Sequence, residues 1–332
     1  MKKFTKVCLF AALTLFIIGC IFCGVFGMMG GFRQLDSANR NGVFGNLRTV
    51  LWGYKSSWFD WGGNDWDEER WTEMKNISTN TESALQTNYN VDDISDIDIE
   101  LGGENLIITE SEDDYIWIKN SSGNNNFKYG RDGSTFKLYS TNSIKFWKNV
   151  SRGNIYLYLP KSVTLKSIDL EVGAGRLNSI ALKADEISLD IGAGEFYIEG
   201  MSGRKVNISV GAGKANIDSI DADEADISVG AGSISARGIN IRDISLEVGM
   251  GNIDVTGTIS GNADVECGMG NINMFLQGSE ADHDYYLECA MGSIRVGSNK
   301  YSGIASEKVI DNGSDSKFDV ECAMGNIDIS FE

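Results

Sequence analysis

The chain reads as all-β, a parallel β-solenoid of about 19-residue coils behind an N-terminal transmembrane helix, and three observations predict this. Eight copies of one phrase, an apolar strand running into a small-residue corner, start at Leu170, Leu189, Ile208, Ile227, Leu246, Val265, Leu287 and Val320. The first six start 19 residues apart. The 39 glycines against a single proline, Pro160, suit a molecule made of many tight corners. A unit that short cannot bury its own apolar face and must stack on its neighbours.

Aligned, the copies become columns. Two residues before the phrase stand Ile168, Ile187, Val206, Ala225, Ile244, Ala263, Tyr285 and Phe318. The third phrase position holds Val172, Ile191, Val210, Val229, Val248, Cys267, Cys289 and Cys322. Apolar residues at every second position mark a strand with one buried face. After the corner the apolar positions resume three residues later, at Leu177, Phe196, Ala215, Ile234, Ile253, Ile272, Ile294 and Ile327, so the chain bends there. Nineteen residues leave no room for a crossover helix. Each coil is therefore expected to contain a strand, a corner, a second strand and a polar return such as the DADE run from Asp221. An antiparallel β-sandwich is the alternative, but it does not call for a 19-residue register. IDIELGGENLIITES from Ile97 reads as a degenerate first coil, and Tyr115 to Leu159 alternates well enough to add strands.

The domain organisation follows: a cytoplasmic tip 1–6, a transmembrane helix 7–32, a Trp-rich acidic juxtamembrane spacer 33–95 and the solenoid 96–332. Val7 to Phe32 is a nearly unbroken apolar run without a charge, long enough to span about 30 Å of hydrocarbon as a helix. Lys2, Lys3 and Lys6 favour a cytoplasmic N-terminus, which places the repeats outside the cell as a single-pass membrane protein. An uncleaved anchor is favoured. Two alternatives remain: a lipoprotein acylated at Cys20 in Ile17-Ile18-Gly19-Cys20, and release by signal cleavage. In the spacer, Trp52, Trp58, Trp61, Trp66 and Trp71 read as a stalk resting on the bilayer or a cap on the solenoid end, in preference to a ligand strip.

The formal charge of −18 opposes nucleic-acid binding. Cys267, Cys289 and Cys322 share one column, with Met269, Met291 and Met324 two residues on. Soft sulfur ligands suit copper, but core filling by inert thiols and thioethers is the preferred reading. The outward column Glu171, Asp190, Ser209, Ser228, Glu247, Glu266, Glu288 and Glu321 reads as solvated charge that discourages edge pairing, in preference to a Ca²⁺ site. With His283 as the only histidine, the chain reads as lacking both a histidine triad and a multi-histidine metal site. No acid pair stands out from the repeated column, and each GAG or GMG lies between strands, not before a helix. No catalytic, cofactor-binding or metal residue is assigned, no cofactor is called for, and the chain is not expected to be an enzyme.

An N-terminal anchor, a Trp-rich acidic spacer and strand-GAG or strand-GMG coils, clearest in GAGKANI from Gly211 and GMGNIDV from Gly249, together resemble a family of bacterial membrane-anchored β-strand-repeat proteins called putative adhesins, a domain of unknown function. The resemblance covers roughly Ile97 to Glu332. It implies an outward-facing β-solenoid, in a Gram-positive envelope, that presents a binding face to a cell-envelope or host-surface macromolecule. Some relatives accompany envelope-stress signalling systems, so an accessory protein bound to a membrane sensor is the alternative; an exported carbohydrate-active enzyme ranks third. Contact with the lipid bilayer is expected through 7–32. The last coil leaves no sequence for a C-terminal cap, so either the insertion between Arg295 and Phe318 folds over that edge or two molecules pair there.

Overall fold

The computed structural model describes residues 73–76, 87–120, 127–140, 154–161, 163, 165–302 and 306–332. The apolar run 7–32 and the five spacer tryptophans lie outside the described residues. Among the described residues, no helix is long and apolar enough to cross a membrane. The described chain is strand and turn apart from two single-turn 3-10 helices, Val91–Asp93 and Glu280–Asp282. It opens with β1 (Glu73–Asn76), β2 (Thr87–Asn90), β3 (Asp96–Leu101), β4 (Asn105–Ser111), β5 (Tyr115–Asn120), β6 (Phe127–Asp132), β7 (Thr135–Ser140) and β8 (Asn154–Pro160). β1 and β2 fall inside the expected spacer, yet both join the β-ladders, so the strand-bearing unit begins before residue 96.

The repeats follow as β9 (Leu165–Val172), β10 (Arg176–Ser179), β11 (Leu182–Ile191), β12 (Glu195–Ile198), β13 (Met201–Val210), β14 (Lys214–Ile217), β15 (Ile220–Val229), β16 (Ser233–Val248) and β17 (Asn252–Ile259). Pairing is parallel and in register, so that Leu170, Leu189, Ile208 and Ile227 form one row and Leu177, Phe196, Ala215 and Ile234 another. These are two faces of the solenoid, one on each side of the glycine corner. The expected polar return is a third face. In β11, β13 and β15 the strand begins with a buried Leu182, Met201 or Ile220, the equivalent residue inside β16 is Ile239, and each is paired one coil to the next in a strand that bends without a break into the first face. DADE lies in β15, with Ala222 turned inward between exposed Asp221 and Asp223, so strand alternation continues through a segment that composition alone presents as a loop.

The last corner residue must be glycine for a steric reason. A Cβ on Gly194, Gly213, Gly232, Gly251 or Gly270 would overlap the carbonyl oxygen of the equivalent glycine one coil below. The first corner residue is as tight at Gly192, where a Cβ would overlap the Gly173 oxygen, but has more room later in the stack: a Cβ on Gly249 would lie 3.0 Å from the Gly230 oxygen. That position is Ala290 and Ala323 in two coils.

At the C-terminal end the coils do not stack in chain order. After β18 (Ala263–Cys267) and β19 (Asn271–Leu276) come β20 (Asp284–Cys289), β21 (Ser293–Val296), β22 (Asn299–Ser302), β23 (Ser306–Ile310), β24 (Lys317–Cys322) and β25 (Asn326–Phe331). β18 and β19 pair with β24 and β25, and β20 and β21 stack on the far side of those. The last coil is thus inserted between its two predecessors. The N-terminal end repeats the device, with β3 and β4 lying between β7–β8 and β9–β10.

Antiparallel strands then cover both ends. β23 and β22 lie on β20 and β21; β6 with β1 lies on β7, and β5 with β2 lies on β8. The insertion after Arg295 therefore folds over the edge, and the final coil is interior. Along the axis runs one continuous core of inward columns, from Ile97, Ile99 and Phe136 to Tyr285, Phe318 and Ile329.

Candidate binding surface

On the first face the outward side chains form two acidic patches separated by a neutral middle. At the N-terminal patch Glu100, Glu171 and Asp190 share one row, and Asp98 and Asp169 the row beside it. Desolvation, and then repulsion from Glu100, Asp190, Asp169 and Asp98, raises the Glu171 carboxyl to about 7. Desolvation, with repulsion from Asp98 and Asp190, raises Asp169 to about 6. Lys137 approaches Asp98 at 3.8 Å. In the middle the acids give way to Ser209 and Ser228, linked hydroxyl to hydroxyl at 3.2 Å, and Lys205 pairs with Asp226 at 3.0 Å. The second patch then runs Glu247, Glu266, Glu321 and Glu288. Desolvation followed by the neighbouring acids raises Glu266 and Glu321 as well. Among the described residues, no group of three or more His, Cys, Asp or Glu side chains is placed to hold a metal ion.

The second face carries a feature that the columns of the repeat did not reveal. Over most of its length its outward row is polar, with Asn178, Asn216, Ser235, Asp254 and Asn273, broken by the exposed Tyr197 between Asn178 and Asn216. Amide side chains bridge coils in the row beside it: Asn105 to Asn154 at 2.9 Å, Asn271 to Asn252 at 2.9 Å and Asn326 to Asn271 at 3.0 Å. On β4, β5 and β8 the outward rows are instead Ile107, Tyr156 and Lys119, and Thr109, Tyr158 and Trp117. Tyr115 continues the strip, its ring centroid 6.3 Å from that of Trp117. The Trp117 indole N–H donates to Asp113 at 2.9 Å, and the Lys119 ammonium lies 6.0 Å from the Tyr156 ring centroid. The signal was present in YIWIKN and NIYLYLP, where an aromatic set alternates with an aliphatic one. Only the aliphatic set, Ile116, Ile118, Ile155 and Leu157, is buried in the core.

The sulfur residues divide. Cys267, Cys322 and Cys289 are buried free thiols stacked in that order, as core filling predicts. Cys267 donates to the Gly270 carbonyl at 3.2 Å, and the Cys322 thiol is held well above its ordinary pKa, first by its hydrogen bond to Cys267 and then by burial. The methionines do not follow. Met269 and Met291 are 44% and 50% exposed, so the core-filling expectation fails for them, and Met250, at the same corner position one coil earlier, is 61% exposed. At the corner the chain bends, and the two-residue parity that separates inside from outside is suspended.

The single histidine is also more than a count. One histidine suffices for a serine–histidine pair, and His283 Nδ1 lies 2.7 Å from the buried Ser316 hydroxyl. The Ser316 hydroxyl donates its only proton to the Gly261 carbonyl, which can only accept. His283 must then be the donor to Ser316, the reverse of a general base activating a nucleophile. The ring is stacked on Phe318 at 4.2 Å and on Phe331 at 5.8 Å, and desolvation lowers its pKa. This pair pins the inserted last coil.

Comparison with known proteins gives three results. A search of solved structures finds a putative adhesin of Bacteroides fragilis NCTC 9343, 14% identical, covering 78% of this chain and 98% of that one with a TM-score of 0.44. It also finds a putative lipid binding protein of Parabacteroides distasonis ATCC 8503, 16% identical, covering 77% and 96% with a TM-score of 0.42. No curated protein matches the chain. The family described as Toastrack DUF4097 matches residues 94–330, the span of the interlocked coils from the first buried row to the last, and the chain belongs to that family.

Proposed function

We propose that this protein is a non-enzymatic, membrane-anchored cell-surface solenoid that presents a binding face to a cell-envelope or host-surface macromolecule. The observation that carries this reading is the aromatic strip Tyr115, Trp117, Tyr156 and Tyr158, which spans two outward rows at one end of the second face, where the coils beyond carry a mostly polar row with Tyr197 as its one aromatic member. Tyr and Trp supply large contact area at small entropic cost and dominate binding energy where they occur at interfaces. The stacked coils hold the strip on paired strands, not on a loop, so little ordering is required on binding. Its anchor is the apolar run 7–32, with the N-terminus in the cytoplasm and the solenoid outside. The donor role of His283 toward Ser316 supports a role without catalysis.

Crosslinking with mass spectrometry on intact cells tests the proposal. Full-length protein should yield crosslinks to an envelope or surface macromolecule that are lost when Trp117, Tyr156 and Tyr158 are all changed to Ala. Unchanged crosslinks would remove the strip from the reading. Crosslinks confined to a membrane kinase or regulator would replace it with the envelope-stress sensor alternative.

A further inference from the structure

The four exposed or half-exposed methionines occupy adjacent corners. Backbone hydrogen bonds fix their order, with Met269 N–H donating to the Gly249 carbonyl, Met324 to Gly268 and Met291 to Ala323, each at 2.7 Å. Met250, Met269, Met324 and Met291 therefore form one ladder along the edge between the first and second faces. In the four preceding repeats the same position is Ala174, Ala193, Ala212 and Ala231, so the corner does not need a long side chain. Burial does not account for the change, because Met250 is 61% exposed. The residues beside each methionine are Gly or Ala, leaving the thioethers as the functional groups of the ridge itself. Three positions before each methionine in sequence stands an acid, Glu247, Glu266, Glu321 or Glu288, on the adjoining face. In the two repeats just before, that position is Ser209 and Ser228. Every methionine of the ridge thus has a carboxylate beside it, although Glu171 and Asp190 hold the same position in coils whose corners are Ala174 and Ala193.

We propose that this methionine ridge binds a soft monovalent cation of the Cu(I) or Ag(I) class. Thioether sulfur is an uncharged, polarisable ligand that selects soft ions over Zn²⁺, Mg²⁺ or Ca²⁺. Parallel strands lie about 4.8 Å apart. With the zinc–thiolate bond of about 2.3 Å as the scale of a metal–sulfur bond, two sulfurs on opposite sides of one ion would lie about 4.6 Å apart, close to the spacing of adjacent rungs. The three torsions of methionine allow the remaining adjustment. The carboxylate row supplies the negative potential that concentrates a cation without itself being a soft ligand. The ion is held and released without a change of oxidation state.

The test uses the full chain in a background that removes competing thiols, with Val at Cys267, Cys289 and Cys322, as in the equivalent column of other coils, and Ser at Cys8, Cys20 and Cys23. Anaerobic competition against a chromophoric Cu(I) chelator is then measured for this protein and for two variants, one with all four methionines changed to Ala and one with all four changed to Leu. Circular dichroism checks that each retains its strands. Binding should weaken by at least about tenfold, the equivalent of 1.4 kcal/mol, in both variants. X-ray absorption of the loaded four-methionine protein should give a sulfur-only first shell. Retention of the ion by the Leu variant, no binding by the four-methionine protein, or a nitrogen and oxygen shell would each overturn the proposal.

Discussion

The middle of the solenoid and its two ends are built from the same phrase but obey different stacking rules. From β9 to β18 each coil lies on the one before it, and the 19-residue spacing is the spacing of the structure. At the ends, β24–β25 is inserted beneath β20–β21 and β3–β4 beneath β7–β8. The difference separates what a repeat can specify from what it leaves open. Identical columns accept any neighbour with the same column, so the phrase determines which faces stack but not which coil stacks on which.

The largest expected effect comes from removing one unit of each kind. Deleting 208–226 removes one period from the middle and rejoins Val206–Asn207 to Ile227–Ser228, so a folded, shorter solenoid should result. Deleting 317–332 should abolish cooperative folding, because it strips β18–β19 of their neighbours on one side and severs β20–β21, with their covers β23 and β22, from the rest of the stack. Far-ultraviolet circular dichroism with gel filtration distinguishes the outcomes. A truncated protein that melts as one cooperative unit would show that the inserted coil is dispensable.

Within the corners, Gly251→Ala should cost about 1–3 kcal/mol by overpacking, because its Cβ would overlap both the Gly232 carbonyl and the Val229 side chain. Gly249→Ala, two residues away, should cost less than about 1 kcal/mol, since Ala290 and Ala323 already occupy that position. Urea denaturation of the pair measures the asymmetry, and equal costs would refute the stacking account of the third corner position.

The acidic patch at the N-terminal end makes a pH prediction with a definite sign. Glu171 and Asp169 have folded pKa values of about 7 and about 6, above their ordinary 4.5 and 3.8, so the folded state binds protons more tightly than the unfolded state. The stability they contribute is complete below about pH 4 and is lost as pH rises through about 6 to 7. With these groups considered alone, the melting temperature should fall between about pH 5 and about pH 8, and Glu171→Gln should flatten that fall. A melting profile unaffected by the substitution would count against the repulsion described for this patch.

A similarly small effect is expected for Cys322→Val, below about 1.5 kcal/mol, because valine fills the same column in Val210, Val229 and Val248. Denaturation under reducing conditions checks it. A larger loss would give the thiol hydrogen bonds at Cys267 a structural weight that packing alone does not.

Much of this was legible in the residues. Two-residue alternation separates Leu189 and Ile191 from Ser188 and Asp190, and strand stacking follows from the shared period. The DADE return was misread because its composition is polar, although its inward position is Ala222. The aromatic strip was missed because both alternating sets of YIWIKN are apolar, and hydrophobicity alone does not choose between Ile and Trp for the inner side. The methionines were misplaced because alternation has no meaning at a bend.

By itself, the sequence determined the cross-section: inward columns, outward columns and a bend at the glycine corner. These are consequences of local sterics and burial, which each coil carries in its own residues. The tertiary structure alone decided the stacking order at the ends, the antiparallel covers β22, β23, β5 and β6, and the side of the corner on which four methionines stand. Those depend on contacts between coils whose columns are interchangeable, so the choice is made by the segments that connect them and by the rings and hydrogen bonds, such as His283 on Phe318 and Ser316, that lock one arrangement in place.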